Sequence, residues 1–581
     1  MSGPPGRNRR GKVAVVLAIA ITLVACAQPS ATVGQVSDTT PRAPRVQSRP
    51  LVMIVRVEPV GIAGKPPQLD AGTSPYVPRR LFNASLALID DRAVHRPELA
   101  EALPQLNTDS WRVFPDGRME TTYRLRPNLT WHDGTPLTSE DFVLAWRIYA
   151  TPEFGHANRP PMPAIDEVLA PEPRTVTIRW KVPYAGAESL STRDQELPPL
   201  PRHLLEDAFE RQATENFVTQ PFWTRDYVGV GPYRVAQWEP GAFLEAVAFD
   251  NYALGRPKID RIRLLFINDA NTALANLMTG EADAGADASV AQITDALKSE
   301  WIPRTGGKLV FWPNSWRHTA IQLRPDMASP RAILDARVRK ALAYTVDKDA
   351  INTASYDGDA MLSESPIWAG SEWGAATAIP GALTRYPYNP RQAERLMTEV
   401  GFQMGSDGIY VSPTNERFSG TVRTTSAADT EREMLILADT WRQAGFDIQG
   451  SVLPAAQAQD IQARSIFPTM FTSGTNMGEY SLQNFSSSVI PRPENRWNGG
   501  NRGGWVNADY DRLVDEFNRT LDRAERTQQV ARMLRMLTDE VPSIPLFFRA
   551  QLLAHAPSIR GPAVAAPEST YVWNVHEWEW Q

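Results

Sequence analysis

The sequence predicts a mixed α/β protein of more than one domain, on three observations. At 581 residues the chain exceeds what one hydrophobic core holds, so two or three domains are expected. The stretch from Tyr123 to Phe142, YRLRPNLTWHDGTPLTSEDF, reads as a strand, a tight turn and a capped helix. Further strands and amphipathic helices then follow one another to the C-terminus, with no internal repeat.

That first unit rests on local physics. Thr121 to Arg126 alternates, Tyr123 and Leu125 on one face and Thr122, Arg124 and Arg126 on the other, as a half-buried strand does. Asp133-Gly134 supplies the turn, because glycine tolerates positive φ. Thr138 stands three residues before Asp141, the spacing of a capping box. Phe142, Ala145, Trp146 and Tyr149 then fall on one helical stripe.

Upstream, Leu51 to Val57 (LVMIVRV) is apolar enough for a strand buried on both faces. Gly61 to Pro78 is rich in Gly and Pro and reads as loop, and regular structure resumes from Leu81 to Ile89. Downstream, Thr175 to Trp180 is a strand, and the prolines of Leu197 to Leu205 break regular structure. His203 in that segment has no nucleophile or metal partner nearby in sequence and reads as structural. Gly229 to Gly241 (GVGPYRVAQWEPG) is a turn and a strand; lacking GxGxxG or GxxxxGK, it is no phosphate loop.

Strand Ile259 to Phe266 and helix Thr272 to Met278 follow, and Leu309 to Leu323 is an extended, aromatic candidate for a strand crossing between lobes. Asp335 caps a helix with Val338, Leu342 and Thr345 on one face; Arg339 in it reads as a structural ion-pair partner. Asn389-Pro390 opens a helix, cap then N1 proline, that Gly401 ends, with Ala393, Leu396, Met397 and Val400 as its buried stripe. Helices at Glu431 to Ala444, Tyr510 to Phe517 and Ala524 to Leu537 complete the pattern.

Hydrophobic content of 42% and charged content of 22% are those of a globular protein. The formal charge is −6; without Arg7, Arg9, Arg10 and Lys12, 56 basic residues face 66 acidic ones, about −10, which argues against a nucleic-acid partner. The single cysteine, Cys26, excludes an intrachain disulfide and a four-Cys zinc site. It follows a basic run, Arg7 to Lys12, and an apolar run, Val13 to Val24, too short for a comfortable membrane span. Leu23-Val24-Ala25-Cys26 fits a bacterial lipobox, so residues 1–25 are expected to be a lipoprotein signal peptide and Cys26 the lipidated residue. Arg9-Arg10 is a poor twin-arginine match, which favours the general secretory route. Residues 26–50, polar and proline-bearing without periodicity, read as a flexible tether. The expected location is outside the cytoplasm, anchored to a membrane by lipid.

The signature at Trp131 to Phe142, with Asp-Gly-Thr-Pro-Leu-Thr and an acidic pair before a helix, resembles that of the family 5 extracellular solute-binding proteins, the receptors of peptide-type ABC importers. So do Pro97-Glu98-Leu99-Ala100, the Pro201 to Leu205 step, Gly229 to Tyr233, Asn251-Tyr252, Gly255-Arg256-Pro257 and Gly280 to Asp283. Asp335 to Asp347 (DARVRKALAYTVD) and Val541 to Phe548 (VPSIPLFF) extend the resemblance over nearly the whole mature chain. It implies a two-lobed α/β fold of periplasmic-binding-protein type with a central cleft and a third, smaller α+β domain. Lobe I would comprise 51–85, 208–308 and 548–581, the small domain 86–207, and lobe II 309–547, with the segment at 61–78 crossing the cleft mouth. The implied function is capture of a solute, a peptide first, and delivery to a permease by domain closure, by a monomer without cofactor.

Peptide-binding members carry Trp-x-x-Asp-Tyr-Pro-Asp-Pro in the second lobe, its first Asp pairing with the peptide ammonium. This chain has Thr472 to Tyr480, TSGTNMGEY, there, and Glu479-Tyr480 stands for the Asp-Tyr pair. Glu479 is thus either a cation anchor or a solvated loop residue. Ser473, Gly474 and Asn476 offer backbone for an added strand. Tyr76, Trp312, Trp316, Trp368, Trp373, Trp497 and Trp505 are cleft-facing by analogy, either packing residues or an apolar pocket wall. The alternatives are a receptor of the same fold for a non-peptide solute or for signalling, and a secreted hydrolase. Against the last, HExxH and GxSxG are absent and a lipidated Cys26 leaves no thiol. Seven dispersed histidines lack metal-ligand spacing.

Overall fold

Two long strands run through the middle of the molecule, Lys308–Ile321 and Ser543–His555, paired antiparallel from Lys308 opposite His555 to Ala320 opposite Ser543. The computed structural model describes residues 49–59, 61–65, 76–157, 161–188, 190, 197–286, 293–356, 358, 360–454, 457, 460–495, 497–564 and 569–581. The expected signal peptide, Cys26 and nearly all of the tether lie outside them.

Among the described residues the long pair sits in a mixed sheet of 11 strands. On one side follow Ala284–Ala286, Leu51–Val55, Arg261–Phe266, Phe243–Ala248 and Tyr233–Glu239; on the other, Met470–Asn476, Ser419–Thr425 and Asp447–Leu453. Met361–Leu362 adds a short pairing on Ser543–His555. Leu51–Val55 is flanked by parallel neighbours on both sides, which is why its sequence is continuously apolar.

Two halves result, with separate cores. Lobe I packs around Leu51, Ile262, Leu264 and Trp578. Lobe II has one core around Leu342, Trp441 and Phe446 and another around Trp373, Leu482, Tyr510 and Leu534. The register of the long pair slips at Pro313/Ser315 and again at Arg317/His318, where the chain passes between the halves. Bulges of this kind bend a strand and re-aim its side chains.

A second sheet, ordered Trp111–Val113, Met119–Arg124, Thr175–Trp180, Ile165–Glu172, carries the helix Glu140–Tyr149. Its Tyr123, Val176, Ile178 and Trp180 belong to the same buried cluster as lobe I. The expected loop at 61–78 ends early, because Tyr76–Phe82 is helix; Pro78 sits in its first turn, where a missing N–H costs nothing.

Thr138 and Asp141 do more than a capping box. The helix starts after Ser139, which makes no side-chain cap bond. Buried Asp141 accepts the Thr138 N–H at 2.8 Å, the Arg202 N–H at 2.9 Å and the Trp131 indole at 3.4 Å. One carboxylate therefore pins the turn to the starts of two helices, Glu140–Tyr149 and Arg202–Arg211. His203 donates through Nε2 to the Asp133 carboxylate at 2.7 Å, a structural tie.

His132 has a role that the sequence reading did not assign. Its Nδ1 accepts the Gly229 N–H at 3.1 Å, so its Nε2 carries the proton and donates to the Gly231 carbonyl at 3.0 Å. The two glycines must be glycine: a Cβ at Gly229 would lie 2.1 Å from the Phe82 carbonyl, and one at Gly231 2.4 Å from the Asn83 nitrogen. Arg339 corrects another expectation. It is buried, and instead of an ion pair it donates to the carbonyls of Ile333, Leu334 and Glu540, oxygens that helix ends leave without partners. Asn389 caps its helix onto Gln392, Pro390 takes the first position and Gly401 closes it at φ 92°, as expected.

Candidate ligand-binding site

Strand Met470–Asn476 pairs with Ser315 to Ile321 on one side. On the other it meets Ser419–Thr425 only at Met470 and Phe471. The Thr472 carbonyl still accepts the Thr424 hydroxyl at 3.3 Å; beyond it, among the described residues, no strand pairs with Ser473 to Asn476 there, so this edge leaves backbone donors and acceptors open. It carries three of the expected residues: Ser473 opposite His318, Gly474 opposite Arg317 and Asn476 opposite Ser315. The Asn476 side chain lies outside the described residues.

Buried charge holds this edge from behind. Arg317 donates to Glu433 through Nε at 3.0 Å and Nη2 at 2.6 Å, and the Thr472 hydroxyl donates to the same carboxylate at 2.6 Å. Arg549, on the returning long strand, pairs with Asp429 at 2.8 Å. Burial would raise the Asp429 carboxyl; Arg549 and then Arg317 outweigh it and hold it below the usual range.

The expected aromatic residues divide. Trp316 is buried, bonds Ser363 Oγ through its indole at 2.8 Å and stacks flat on His318 at 4.2 Å. Trp505 is core, bonded to Glu540 at 2.8 Å and edge-on to Tyr510. Trp373 is buried beneath Arg526. Trp312 is buried against Tyr571 at the crossover, and its indole N–H has no hydrogen-bond partner among the described residues. Trp368 and Trp497 are half-buried, Trp497 at φ 61°. Tyr76 opens its helix; its side chain is outside the described residues.

Glu479 is half-buried and has a cationic partner within the chain. Gly478, at φ 83°, turns the chain into the short helix Glu479–Gln483. The Glu479 carboxylate accepts from Arg526 Nη2 at 3.1 Å, and that guanidinium lies over Phe517 at 4.1 Å and Trp373 at 4.6 Å. The Glu479 charge is felt by Tyr184 and His95: burial first, and Glu479 second, raise the Tyr184 hydroxyl, while burial pushes His95 down to about 4 against Glu479's pull. Its partner lies 47 residues along the chain, beyond any local pattern.

Arg464, in the short helix Ile461–Ser465, and Arg502, in a glycine-rich turn, each keep a buried Nε without a hydrogen-bond partner among the described residues. Gly503, in that turn, has no room for a Cβ, which would lie 2.2 Å from the Ile321 carbonyl. Among the described residues no group of His, Cys, Asp and Glu could hold a metal ion, and no helix is long and apolar enough to cross a membrane.

Residues 101–489 match the family model of the bacterial extracellular solute-binding proteins, family 5 Middle. The chain is 20% identical over 505 residues to the oligopeptide-binding protein AppA of Bacillus subtilis, covering 85% of each. Among solved structures it is similar to NikZ from Campylobacter jejuni in complex with Ni(L-His), at a TM-score of 0.73 and 22% identity, over 91% of this chain and 99% of that one. It is equally similar to the oligopeptide binding protein from Thermus thermophilus complexed with a pentapeptide, at 0.73 and 21%, over 91% and 96%. The two-lobed architecture is that of these binding proteins, and the chain belongs to the bacterial extracellular solute-binding proteins of family 5.

Proposed function

We propose that this chain is the receptor of an ABC-type importer, which closes its lobes over a small solute, a peptide first, and passes it unchanged to a membrane permease. The open edge at Ser473 to Asn476 carries this reading. An extended ligand can add there as a strand, with main-chain bonds for affinity and side-chain pockets for selection. Tyr76, Trp316, Trp368, Tyr480 and Trp497 are the proposed apolar and aromatic wall. AppA, by its name, binds oligopeptides, and the Thermus thermophilus protein holds a pentapeptide; NikZ holds Ni(L-His), which keeps a small chelate as a second reading. In this reading 309–547 moves as lobe II against 51–85, 208–308 and 548–581, with 86–207 as the small domain.

Small-angle scattering with and without a pentapeptide mixture tests it. The expected result is a smaller radius of gyration with peptide, and peptides recovered intact by mass spectrometry. Cleaved or altered peptide would overturn the receptor reading. We further propose a monomer tethered through lipid on Cys26, supported by the Leu23 to Cys26 motif after its basic and apolar runs. Cys26→Ser should move the protein from the membrane to the soluble fraction and remove the lipid mass; unchanged fractionation would refute the anchor.

A further inference from the structure

Leu521 of lobe II packs on the other half of the molecule. It stands in the turn between the helices Ala508–Arg519 and Arg523–Glu540 and is half-buried. The apolar side chains it packs against belong to the cluster shared by lobe I and the small domain, not to the cores of its own lobe. The small domain reaches this part of lobe II: its turn Ala185–Glu188 comes within 8 Å, Cα to Cα, of the helix Ala508–Arg519. Tyr184, Ala187 and Leu190, in and around that turn, are buried members of the same cluster.

Both sides of this contact are held from within. On the small domain, Tyr184 stacks on Trp180 with ring centroids 5.0 Å apart, and the Tyr123 hydroxyl donates to the Ala187 carbonyl at 2.5 Å. In lobe II the N–H and the hydroxyl of Thr520 both donate to the Glu516 carbonyl at 2.8 Å, and buried Gln529 donates to that hydroxyl at 2.8 Å. Asp522 then accepts the Glu525 N–H at 2.7 Å and starts the next helix. A turn braced in this way offers Leu521 as a fixed knob. Two preformed surfaces lose little conformational freedom when they meet.

We propose that Leu521 and the turn Tyr184–Glu188 form a clasp by which the small domain holds lobe II closed over the solute. This rests on the reading of the chain as a receptor whose lobes close, and it gives the small domain a role in that closure. The open edge at Ser473 to Asn476 and the helix pair that carries Leu521 are separate parts of lobe II. The clasp therefore acts on the closing equilibrium and not on the contacts of any one solute. Where the open form predominates without ligand, a contact made only in the closed form lowers the apparent dissociation constant by the factor by which it favours closure. Its signature is an effect on affinity that is equal for all ligands and is felt in their release.

The test uses the purified protein, Leu521→Asp, Ala185→Glu on the facing turn, and the two combined. The probes are an acidic, a neutral and a basic pentapeptide, read by calorimetry and stopped-flow release, and amide hydrogen exchange without peptide. Each single variant is expected to weaken all three peptides by one common factor, about ten-fold or about 1.4 kcal/mol, through faster release. The combination should lose no more than either alone, because the same contact is removed only once. Without peptide, Leu521→Asp should speed exchange at 184–188 in the small domain and Ala185→Glu at 508–519 in lobe II, while the central strand 543–555 keeps its protection. Peptide binding unchanged in both variants overturns the clasp, whatever the exchange shows, and leaves the receptor reading standing. A loss that differs from peptide to peptide makes these residues part of the pocket wall and overturns it as well. If no peptide binds the unmutated protein, the peptide reading falls and exchange decides: faster exchange across the contact in both variants upholds the clasp, and unchanged exchange refutes it.

Discussion

Taking the protein from pH 7.5 to pH 4.5 is expected to remove a large share of its stability, through histidines buried in the neutral form. Burial pushes His132 down to about 4 and His318 and His576 to about 3. For His132 the reason is visible: its Nδ1 already accepts the Gly229 N–H, and a proton there would set two donors against each other. A histidine whose folded pKa is depressed binds its proton first in the unfolded chain. Between about 6.5 and the folded value the unfolded state holds more protons, so stability falls as pH falls. Each such group contributes up to about 1.4 kcal/mol per pH unit. Allowing for the solvent that His132 and His318 still touch, the three cost on the order of 5 kcal/mol at pH 4.5, comparable to the net stability of a domain. Asp141, raised by burial, works in the opposite direction, while Asp133 and Glu245, held low, begin to add their own losses as pH falls into the usual carboxylate range. Urea melts at several pH values check this. His132→Gln should be less stable at pH 7.5 but show a slope shallower by about one proton below pH 6.5. An unchanged slope would rule out His132, and a urea midpoint that is flat down to pH 5 would rule out the whole account.

His132 also shows what the sequence could and could not display. The strand, the Asp133-Gly134 turn and the helix around it were legible because each depends on neighbours within a few residues. The same holds for Asn389 on Gln392 and for Asp335 on Arg337. What His132 does depends on Gly229, 97 residues away, and no local pattern carries that. The long strand at 308–321 was legible as extended, but not which of its side chains face which way. Its side chains change surroundings along its length, from exposed Phe311 to buried Trp312, Trp316 and Arg317, so no single alternation runs through it, and two register slips break parity. Glu479 was found by its place beside Tyr480; that its charge is taken by Arg526 follows from a helix whose sequence shows only amphipathicity. Arg464 and Arg502 become conspicuous only because, among the described residues, the Nε of each is buried without a hydrogen-bond partner, a property of the folded chain alone.

Glu433→Ala is expected to destabilise lobe II by about 3–5 kcal/mol, the cost of leaving a buried charge without its partner. The side chains of Arg317 and Glu433 are 5% and 0% exposed and meet through two hydrogen bonds, so neither can turn to water when the other is removed. The Thr472 hydroxyl, which donates to Glu433, loses its acceptor in the same step. Arg317 lies on the crossing strand and Thr472 just before the open edge, so the damage falls on the wall that would receive the ligand. Asp429 softens it only in part, being already paired with Arg549. The double variant Arg317→Met, Glu433→Leu separates a lost charge partner from lost packing. Replacing both members of a buried pair with apolar groups of similar volume is often neutral, so the double variant should recover most of the loss. Urea midpoints of the single and double variants give the coupling directly. A loss below about 1 kcal/mol in Glu433→Ala, or a double variant as unstable as the sum of its singles, would show that the pair does not hold the edge in place.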